Sequence, residues 1–348
     1  MHRLKWKGSH YQIGVERGTL LKRSSVFFPL RLDRFQLAHG KRSEAVLRAF
    51  FPEACAEIQG VSDALGADYA ALAAWLLCMG CCLYNLLDNL PVEVRGCTAF
   101  AQAVGGRVIY GRNNDLPSFL KQASKSELYL PTGGNRFCMT TSSFLNGEEG
   151  LNEHGLAVGM TFVATRLEQI RPGLNACFAV RYLLEKAAGV KEALLLLQEL
   201  PIASNCNLLL ADQSGEMAVV ECTPLVKRIR KPLLLGAGKA VCAVNRFLCE
   251  ELQPFEAACG GDYRSAERYK TVMDCLSRPV RDEAVAAAMR MLKGDDGFMC
   301  QYDDIPDFET VWSSVFDLNS RMIYLADGDP RAAPFVADSR LAALVNES

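Results

Sequence analysis

The sequence predicts an α+β protein in which helices pack against antiparallel sheets. Before residue 95 the apolar residues recur at helical spacing, whereas from Cys97 onward paired β-rich runs dominate. Several of these runs fold back on themselves around short turns that contain Gly, Asn or Asp, which is typical of β-hairpins. Pairs of helical segments separate the hairpins, and this order favours a layered arrangement of helices on sheets.

The first part of the chain is predicted to be helical. A first helix occupies "SHYQIGVERGTLLK", after a Ser/Gly start. A second segment, residues 43–66, begins at Ser43 with Val46 and Leu47 behind it, the spacing expected of a helix start. No strand is predicted before residue 95.

Residues 69–87 form an uncharged stretch that is nearly long enough to cross a bilayer. Asp68 and Asp88 flank this stretch, Asn85 interrupts it, and alanine, glycine and cysteine dilute its hydrophobicity. A helix that is apolar on most faces is typical of a protein core. We therefore interpret the stretch as a buried helix and expect no membrane contact.

Three hairpins are predicted after residue 96. Their turns lie at Gly105–Gly106, at Asn152–Gly155 and at Asp212–Gly215. The helical segments are 175–189, 190–201, 265–277 and 281–294, and a last strand pair occupies 310–330. This sequence of elements continues to the end of the chain without an internal repeat or a low-complexity linker.

Composition excludes several classes of function. The chain has 348 residues, half of them hydrophobic, and a net charge of −2 without any basic block, so a nucleic-acid partner is not expected. The start, "MHRLKWKGSHYQIG", lacks the apolar segment of a signal peptide, which predicts a cytoplasmic protein. The length fits either two average domains or one large one.

The fourteen cysteines are irregularly spaced, and we interpret most of them as small buried hydrophobic residues rather than disulfide partners. One C-x-x-C pattern lies at Cys78–Cys81 within "CMGCC". A structural zinc site normally needs a second pair of ligands at defined spacing, and no such pair is evident. The sequence therefore predicts neither a metal nor a cofactor.

Cys97 stands apart because it begins the β-rich part of the chain. A cysteine nucleophile needs a base, and His154, in the second predicted turn, is one candidate in a Cys-His hydrolase. A cut between Gly96 and Cys97 would supply another base, because the new α-amine has an ordinary pKa of about 7.7–8. Gly96 suits such a cut, since no side chain obstructs its carbonyl. The division predicted is a propeptide, 1–96, and a catalytic chain, 97–348.

"GCTAF" followed by "GGRVIYGRNND" resembles the start of the mature chain in the isopenicillin N acyltransferase (acyl-coenzyme A:6-aminopenicillanic acid acyltransferase) family of N-terminal-nucleophile hydrolases. It is also similar to the related choloylglycine hydrolases. The opening "GSHYQIGVERGTLL" is similar to the start of the family's propeptide. Other motifs recur in the family's order: "EGLNEHGLAVGMTF", "NLLLADQSGEMAVVE", "AVNRF", "SAERY" and "LADGDP".

The resemblance implies a four-layer αββα fold and a role for each matching residue. Cys97 would cut its own chain at Gly96 and then act as the nucleophile. Arg112 would lie near the thiolate and favour its ionised form. Asp115 would hold the new α-amine; because positions three apart on a strand face opposite ways, a bend is expected around Asn113.

The resemblance also implies an oxyanion hole. The side-chain amide of Asn245 and a backbone N–H near Thr161 would be its donors, and Arg268 would complete the polar site. The choloylglycine hydrolases that act on bile salts have asparagine where this chain has Thr161, which favours the acyltransferase branch. More ordinary alternatives are that Cys97 is an inert thiol, Arg112 and Asp115 an ion pair, Asn245 the cap of a helix near Arg246, and Arg268 a surface residue.

The function implied is a self-processing cysteine amidohydrolase or acyltransferase that acts on a small linear acyl amide or acyl thioester through a thioester on Cys97. No cofactor is implied, although acyl-coenzyme A is a candidate substrate. The active form would be an α/β heterodimer from one precursor, with homo-oligomers left open. Two alternatives remain: an unprocessed protein that binds a small ligand, and a Cys-His hydrolase that is not cut.

Overall fold

The computed structural model describes residues 1–24, 32–79, 96–236, 238–257, 264–278 and 283–346. The strands in chain order are β1 (His2–Gly8), β2 (Gly96–Val104), β3 (Arg107–Pro117), β4 (Lys125–Pro131), β5 (Phe137–Thr141), β6 (Glu149–Asn152), β7 (Leu156–Phe162), β8 (Cys206–Asp212), β9 (Met217–Cys222), β10 (Lys227–Arg230), β11 (Leu233–Leu235), β12 (Gly238–Ala243), β13 (Phe308–Asp317), β14 (Met322–Ala326) and β15 (Val336–Asp338). The helices are α1 (His10–Arg23), α2 (Arg34–Phe50), α3 (Pro52–Leu65), α4 (Tyr69–Met79), α5 (Ala176–Lys186), α6 (Val190–Glu199), α7 (Ser265–Leu276), α8 (Ala284–Lys293) and α9 (Arg340–Asn346).

Two sheets stack face to face. The first has the order β1-β4-β5-β6-β7-β8-β9-β10, and the second has the order β11-β12-β2-β3-β13-β14-β15. Between them lies a core to which the first sheet contributes Leu151 and Leu209 and the second contributes Ala99 and Tyr110. Alternation along each strand gives every sheet a second apolar face, which a helix layer must cover.

Helices cover both outer faces. Ile58 of α3 and Phe178 of α5 belong to the core on the outer face of the first sheet. Val272 of α7 and Leu292 of α8 pack against Phe100 of the second sheet on the opposite side. The order of layers is therefore helix, sheet, sheet, helix, which confirms the expected αββα fold.

The first hairpin confirms its predicted turn. Gly105 and Gly106 have φ angles of 58° and 77°, a region that glycine enters without the steric penalty of a side chain. Two adjacent residues with positive φ match the twist of the flanking strands β2 and β3. The hairpins β6–β7 and β8–β9, the last strand pair and the predicted later helices are also present.

The helix predicted to start at Ser43 is wrong. α2 begins after Asp33, whose side chain accepts a hydrogen bond from the Gln36 N–H at 2.7 Å, and Ser43 lies in its interior. Helix α2 ends before Phe51, and Pro52 begins α3. Proline is tolerated in the first turn of a helix because the N–H that it lacks would have no partner there. Residues 43–66 therefore belong to two helices.

The prediction that no strand precedes residue 95 is also wrong. β1 pairs in parallel with β4 along seven residues, and of its side chains Trp6 is buried. The alternation of Leu4 and Trp6 with Lys5 and Lys7 is a strand signal, but seven residues are too few to outweigh the helical pattern that follows.

The uncharged stretch is helical as far as it is described. α4 ends at Met79, and Leu72 and Leu76 are buried in the core of the first layer; residues 80–87 lie outside the described part. Among the described helices, none combines the length and apolar character needed to span a bilayer. The cysteines described are all free thiols, most of them buried, while the C-x-x-C pattern lies partly outside the described residues.

Candidate active site

Several strand ends converge at one edge of the two sheets. Cys97 is the second residue of β2 and lies opposite Asn114 of β3, while Gly96 lies opposite Asp115. Asn245 follows β12, which pairs with the other side of β2. Arg268 lies in the first turn of α7, and its side chain reaches back to β2.

Each polar group of Cys97 has a separate partner. The sulfur lies 3.2 Å from Nη2 of Arg112 and donates to Oδ1 of Asn114, also at 3.2 Å. The backbone N–H donates to Oδ1 of Asn245 at 2.7 Å. The carbonyl oxygen accepts from Nη1 of Arg268 at 2.6 Å. With 3% of its surface exposed, Cys97 is fixed on every side, unlike an inert core thiol.

Arg112 is a fully buried cation beside the sulfur. Its Nη1 donates to the backbone carbonyl of Glu148, and its Nη2 donates to Oδ1 of Asn114 at 2.6 Å. Burial alone would lower the pKa of the guanidinium, but Coulombic attraction to Cys97, Tyr110 and Glu149 raises it overall. The group therefore stays charged and can stabilise negative charge on the sulfur.

Asp115 lies beside Gly96 rather than beside the sulfur. A Cβ atom added to Gly96 would lie 3.0 Å from Oδ2 of Asp115, a tight contact that puts the carboxyl group directly beside Gly96. Tyr302 donates to Oδ2 at 2.9 Å and Thr310 donates to Oδ1 at 2.6 Å. Burial raises the pKa of this carboxyl to about 6, against the opposing effects of Arg268 and the two hydrogen bonds.

The bend expected around Asn113 is absent. β3 runs unbroken from Arg107 to Pro117, and the irregularity lies in its neighbour β13, between Thr310 and Trp312. Arg112 and Asp115 therefore face opposite sides of the strand, as residues three apart must. They form neither a hydrogen bond nor an ion pair with each other among the contacts of the described chain.

Asn245 joins three parts of the site. Its Oδ1 accepts from the Cys97 N–H and from Nη2 of Arg268 at 2.9 Å, while its Nδ2 donates to the carbonyl of Phe162 at 3.0 Å. An amide nitrogen carries two hydrogens, so a second donor remains for an oxyanion. Residues 246–257 form turns and one short 3-10 helix, Gln253–Phe255, so Asn245 caps no α-helix.

Thr161 braces the same region from the first sheet. Its hydroxyl donates to the carbonyl of Val244 at 2.7 Å and accepts from Nδ2 of Asn207 at 3.0 Å. Asn207 also donates to the Val244 carbonyl at 2.8 Å. The Thr161 side chain thus fixes the residue before Asn245.

Two residues of the site, Asn114 and Ser265, were not predicted from the sequence. The alternative that Arg268 is a surface residue is wrong. Arg268 is fully buried, so it is not a surface residue. Asn114, which contacts the sulfur, lies two positions after Arg112. Because residues two apart share a strand face, this spacing could have predicted that Asn114 lies beside Cys97 together with Arg112. Ser265, whose hydroxyl accepts from Arg268 at 3.1 Å, carried no comparable signal.

Histidine does not complete the site. All four histidines are described, and none hydrogen-bonds to Cys97. His154 lies in the turn before β7, at the far end of that strand from Thr161, and its ring contacts Asn135 at 3.1 Å. A Cys-His pair is therefore not supported by the geometry.

Residues 103–332, more than half of the chain, match the model of the acyl-coenzyme A:6-aminopenicillanic acid acyl-transferase family. The chain therefore belongs to this family, which confirms the resemblance and places it among acyl-transferring enzymes. The matched range includes Arg112, Asp115, Asn245 and Arg268 but starts six residues after Cys97. No curated protein matches the chain in sequence.

Three solved structures illustrate what the chain is similar to. Penicillin V acylase from Agrobacterium tumefaciens is 16% identical with a TM-score of 0.46, over 70% of this chain and 87% of that one. The N-acylethanolamine-hydrolyzing acid amidase ortholog of Caenorhabditis elegans is 16% identical with a TM-score of 0.48, over 64% and 93%. A variant of the conjugated bile acid hydrolase of Clostridium perfringens is 12% identical with a TM-score of 0.39, over 70% and 92%.

Proposed function

We propose that this chain is a self-processing cysteine amidohydrolase or acyltransferase whose nucleophile is Cys97. The observation that carries the proposal is that thiol, N–H and carbonyl of one residue each have a buried polar partner: Arg112, Asn245 and Arg268. A structural cysteine needs no charged partner for its sulfur, because a thiol packs as a small hydrophobic group. Membership of an acyl-transferring family supplies the class of reaction.

Processing begins with attack of the Cys97 sulfur on the carbonyl carbon of Gly96. The C–N bond breaks as the C–S bond forms, and the proton that the thiol loses is transferred to the nitrogen of Cys97, which becomes a free amine. Water then hydrolyses the thioester, which releases Gly96 as a carboxylate and restores the thiol. Asp115 lies beside Gly96, and Oδ1 of Asn245 already accepts a hydrogen bond from the Cys97 N–H, which supports a role for both in holding the new amine.

Acyl transfer repeats this chemistry on a small molecule. The thiolate, stabilised by Arg112, attacks an amide or thioester carbonyl, and the α-amine of Cys97 first accepts the thiol proton and then delivers it to the leaving group. The free N–H of Asn245, with a backbone N–H near Thr161, stabilises the oxyanion. Water or an amine then takes the acyl group from Cys97. Acyl-coenzyme A is a candidate donor.

N-terminal sequencing and denaturing mass spectrometry of the purified full chain test the proposal. We expect one piece to end at Gly96 and the other to begin Cys-Thr-Ala-Phe, and we expect turnover of a panel of N-acyl amides and acyl thioesters. The two pieces stay together as an α/β heterodimer, because β1 and α1–α4 pack against the rest. A chain that stays intact, with Cys97 unreactive to iodoacetamide, would instead support the ligand-binding alternative.

Asp115 gives the cleavage step a measurable pH dependence. With its pKa raised to about 6 by burial, the carboxyl is charged above that pH and neutral below it. Only the carboxylate can pair with the developing amine, so we expect the cleavage rate to fall about tenfold for each pH unit below 6. The fraction of cut chain against time, followed on denaturing gels from pH 4.5 to 8, measures this limb.

The variant Asp115→Asn separates chemistry from folding. Because the folded-state pKa of about 6 exceeds the ordinary 3.8, the carboxyl stabilises the fold below pH 3.8, and about 3 kcal/mol is lost as the pH rises through 6. At pH 7 the variant should therefore be at least as stable as the wild type, yet cut slowly and without the limb at pH 6. If Asp115→Asn has the same pH dependence of cleavage as the wild type, Asp115 does not hold the new amine. The control is Asp303→Asn, which changes an exposed aspartate.

A further inference from the structure

Asn114 places an oxygen against the sulfur of Cys97. The two residues lie directly opposite each other on β2 and β3, and the thiol donates to Oδ1 of Asn114 at 3.2 Å. Both side chains are buried. The sulfur therefore has two polar neighbours with opposite preferences: the Arg112 cation, which favours the thiolate, and an acceptor, which favours the thiol.

The orientation of the Asn114 amide is fixed by chemistry. Arg112 donates to Oδ1 at 2.6 Å, and a guanidinium has donors only, so the oxygen must face it. The same oxygen faces the sulfur. A thiolate at this position would meet an acceptor lone pair, whereas a thiol gives its hydrogen to it.

The other half of the amide shows that packing is not the reason for this residue. Nδ2 of Asn114 is buried and has no hydrogen-bond partner within the described chain. A buried donor without a partner destabilises the fold; leucine, of similar size, would avoid this loss but would give up the hydrogen bond from Arg112 to Oδ1. An asparagine that stabilises nothing through its nitrogen but contacts the sulfur through its oxygen calls for a functional explanation.

We propose that Asn114 orients the Cys97 thiol by accepting its hydrogen and thereby opposes its conversion to the thiolate. Its oxygen, held by Arg112, accepts the hydrogen of the thiol, and the thiolate forms only when a base removes that proton. This inference rests on the proposed function, in which Cys97 is the nucleophile. Asn114 is thus an additional residue of the site, in direct contact with the reacting sulfur.

The pH profile of Cys97 alkylation tests this role. Full-length wild type, Asn114→Leu and Asn114→Asp are treated with iodoacetamide from pH 5.5 to 10, and the rate at the Cys97 peptide is measured by mass spectrometry. Asn114→Leu removes the acceptor, so that Arg112 is the remaining polar neighbour of the sulfur. The pH midpoint of its alkylation profile should therefore fall by about one unit, with about tenfold faster alkylation at neutral pH. Asn114→Asp adds negative charge beside the sulfur, so its midpoint should rise.

The matched control is Asn113→Ala. Asn113 is the preceding residue of β3, equally buried, but its amide donates to the carbonyl of Leu292 at 2.9 Å and accepts from Ser313 at 2.7 Å, away from the sulfur. The pH midpoint of Cys97 alkylation in Asn113→Ala should match that of the wild type. Asn114→Leu and Asn113→Ala both remove buried hydrogen bonds, so both should lower the melting temperature, but only Asn114→Leu should change the alkylation profile, which separates the role of Asn114 from a structural one.

Shifts of both Asn114 variants in the same direction, or midpoints equal to that of the wild type, would overturn the inference. The alkylation rate follows the sulfur alone, whereas N-terminal sequencing follows the Gly96–Cys97 bond. A chain that is never cut but shows the opposite shifts would refute the self-processing proposal and leave the role of Asn114 standing.

Discussion

Replacing Cys97 by alanine is expected to leave a single 348-residue chain and to lower kcat/KM for acyl transfer by roughly 10³-fold or more. A loss this large follows from the proposed mechanism, in which the sulfur is the attacking atom in both processing and transfer. Denaturing mass spectrometry measures the cut, and product release from N-acyl amides and acyl thioesters measures the transfer. Because alanine is small and Cys97 lies at the start of β2, the fold should persist.

The control for this variant is Cys242→Ala. Cys242 is also a buried cysteine of the second sheet, paired with Phe100, and burial raises the pKa of its thiol to about 12. Such a thiol is inert at neutral pH, so Cys242→Ala should be cut and should turn over substrate like the wild type. A Cys97→Ala protein that is still cut, or still active, would place the nucleophile elsewhere.

Replacing Arg17 by methionine is expected to destabilise the protein by about 3–5 kcal/mol. Arg17 is 2% exposed and binds Glu127 through two hydrogen bonds of 2.9 and 2.7 Å, while Trp6 lies under its guanidinium at 4.4 Å. Methionine fills similar space but leaves the Glu127 carboxylate buried without this partner. Urea unfolding of the wild type and variant at pH 7 measures the difference in free energy.

The two residues lie on opposite sides of the proposed cut, so the same pair holds the two pieces together. Burial alone would raise the pKa of Glu127, but Arg17 lowers it overall, so this contribution to stability is present above pH 4.5 and is lost as the pH falls further. Without Arg17, burial dominates the pKa of Glu127, so acid should stabilise the variant. We also expect the cut pieces of the variant to separate at a lower urea concentration.

Two further variants show whether the charge is responsible. Arg17→Met combined with Glu127→Leu should recover most of the lost stability, because an apolar pair avoids the unpaired buried charge. Arg48→Met removes an arginine that is 58% exposed and pairs with Glu44 on the surface of α2, and this should cost less than about 1 kcal/mol. If Arg17→Met were no worse than Arg48→Met, the buried pair would not hold the pieces together.

Local signals explain what could be predicted from the sequence. The turn at Gly105–Gly106 requires positive φ at both residues, and glycine meets that requirement wherever the chain leads next. Helical and alternating patterns likewise depend on neighbours within a few positions. The helix start predicted at Ser43 is wrong because a serine can begin a helix or lie inside one. The residue that caps this helix is Asp33, ten residues earlier.

Nonlocal contacts explain what could not be predicted. Asn245 is 148 residues from Cys97, and Arg268 is 171 residues from it, and only the order of motifs in the family suggested that they meet. Spacing along the chain carries no information about such distances. β1 has the same difficulty, because its partner β4 begins 117 residues after Gly8 and its own pattern is short.

The sequence by itself determined the class of fold, the family and the hairpins and made Cys97 the candidate nucleophile, because these depend on short patterns and on motif order. Only the tertiary structure decided which side chains surround the sulfur. Strand pairing puts Asn114 opposite Cys97 and Asp115 opposite Gly96, and the pleat of β3 sends Arg112 and Asp115 to opposite faces. Register and face are set by pairing across the sheet, which no single strand specifies.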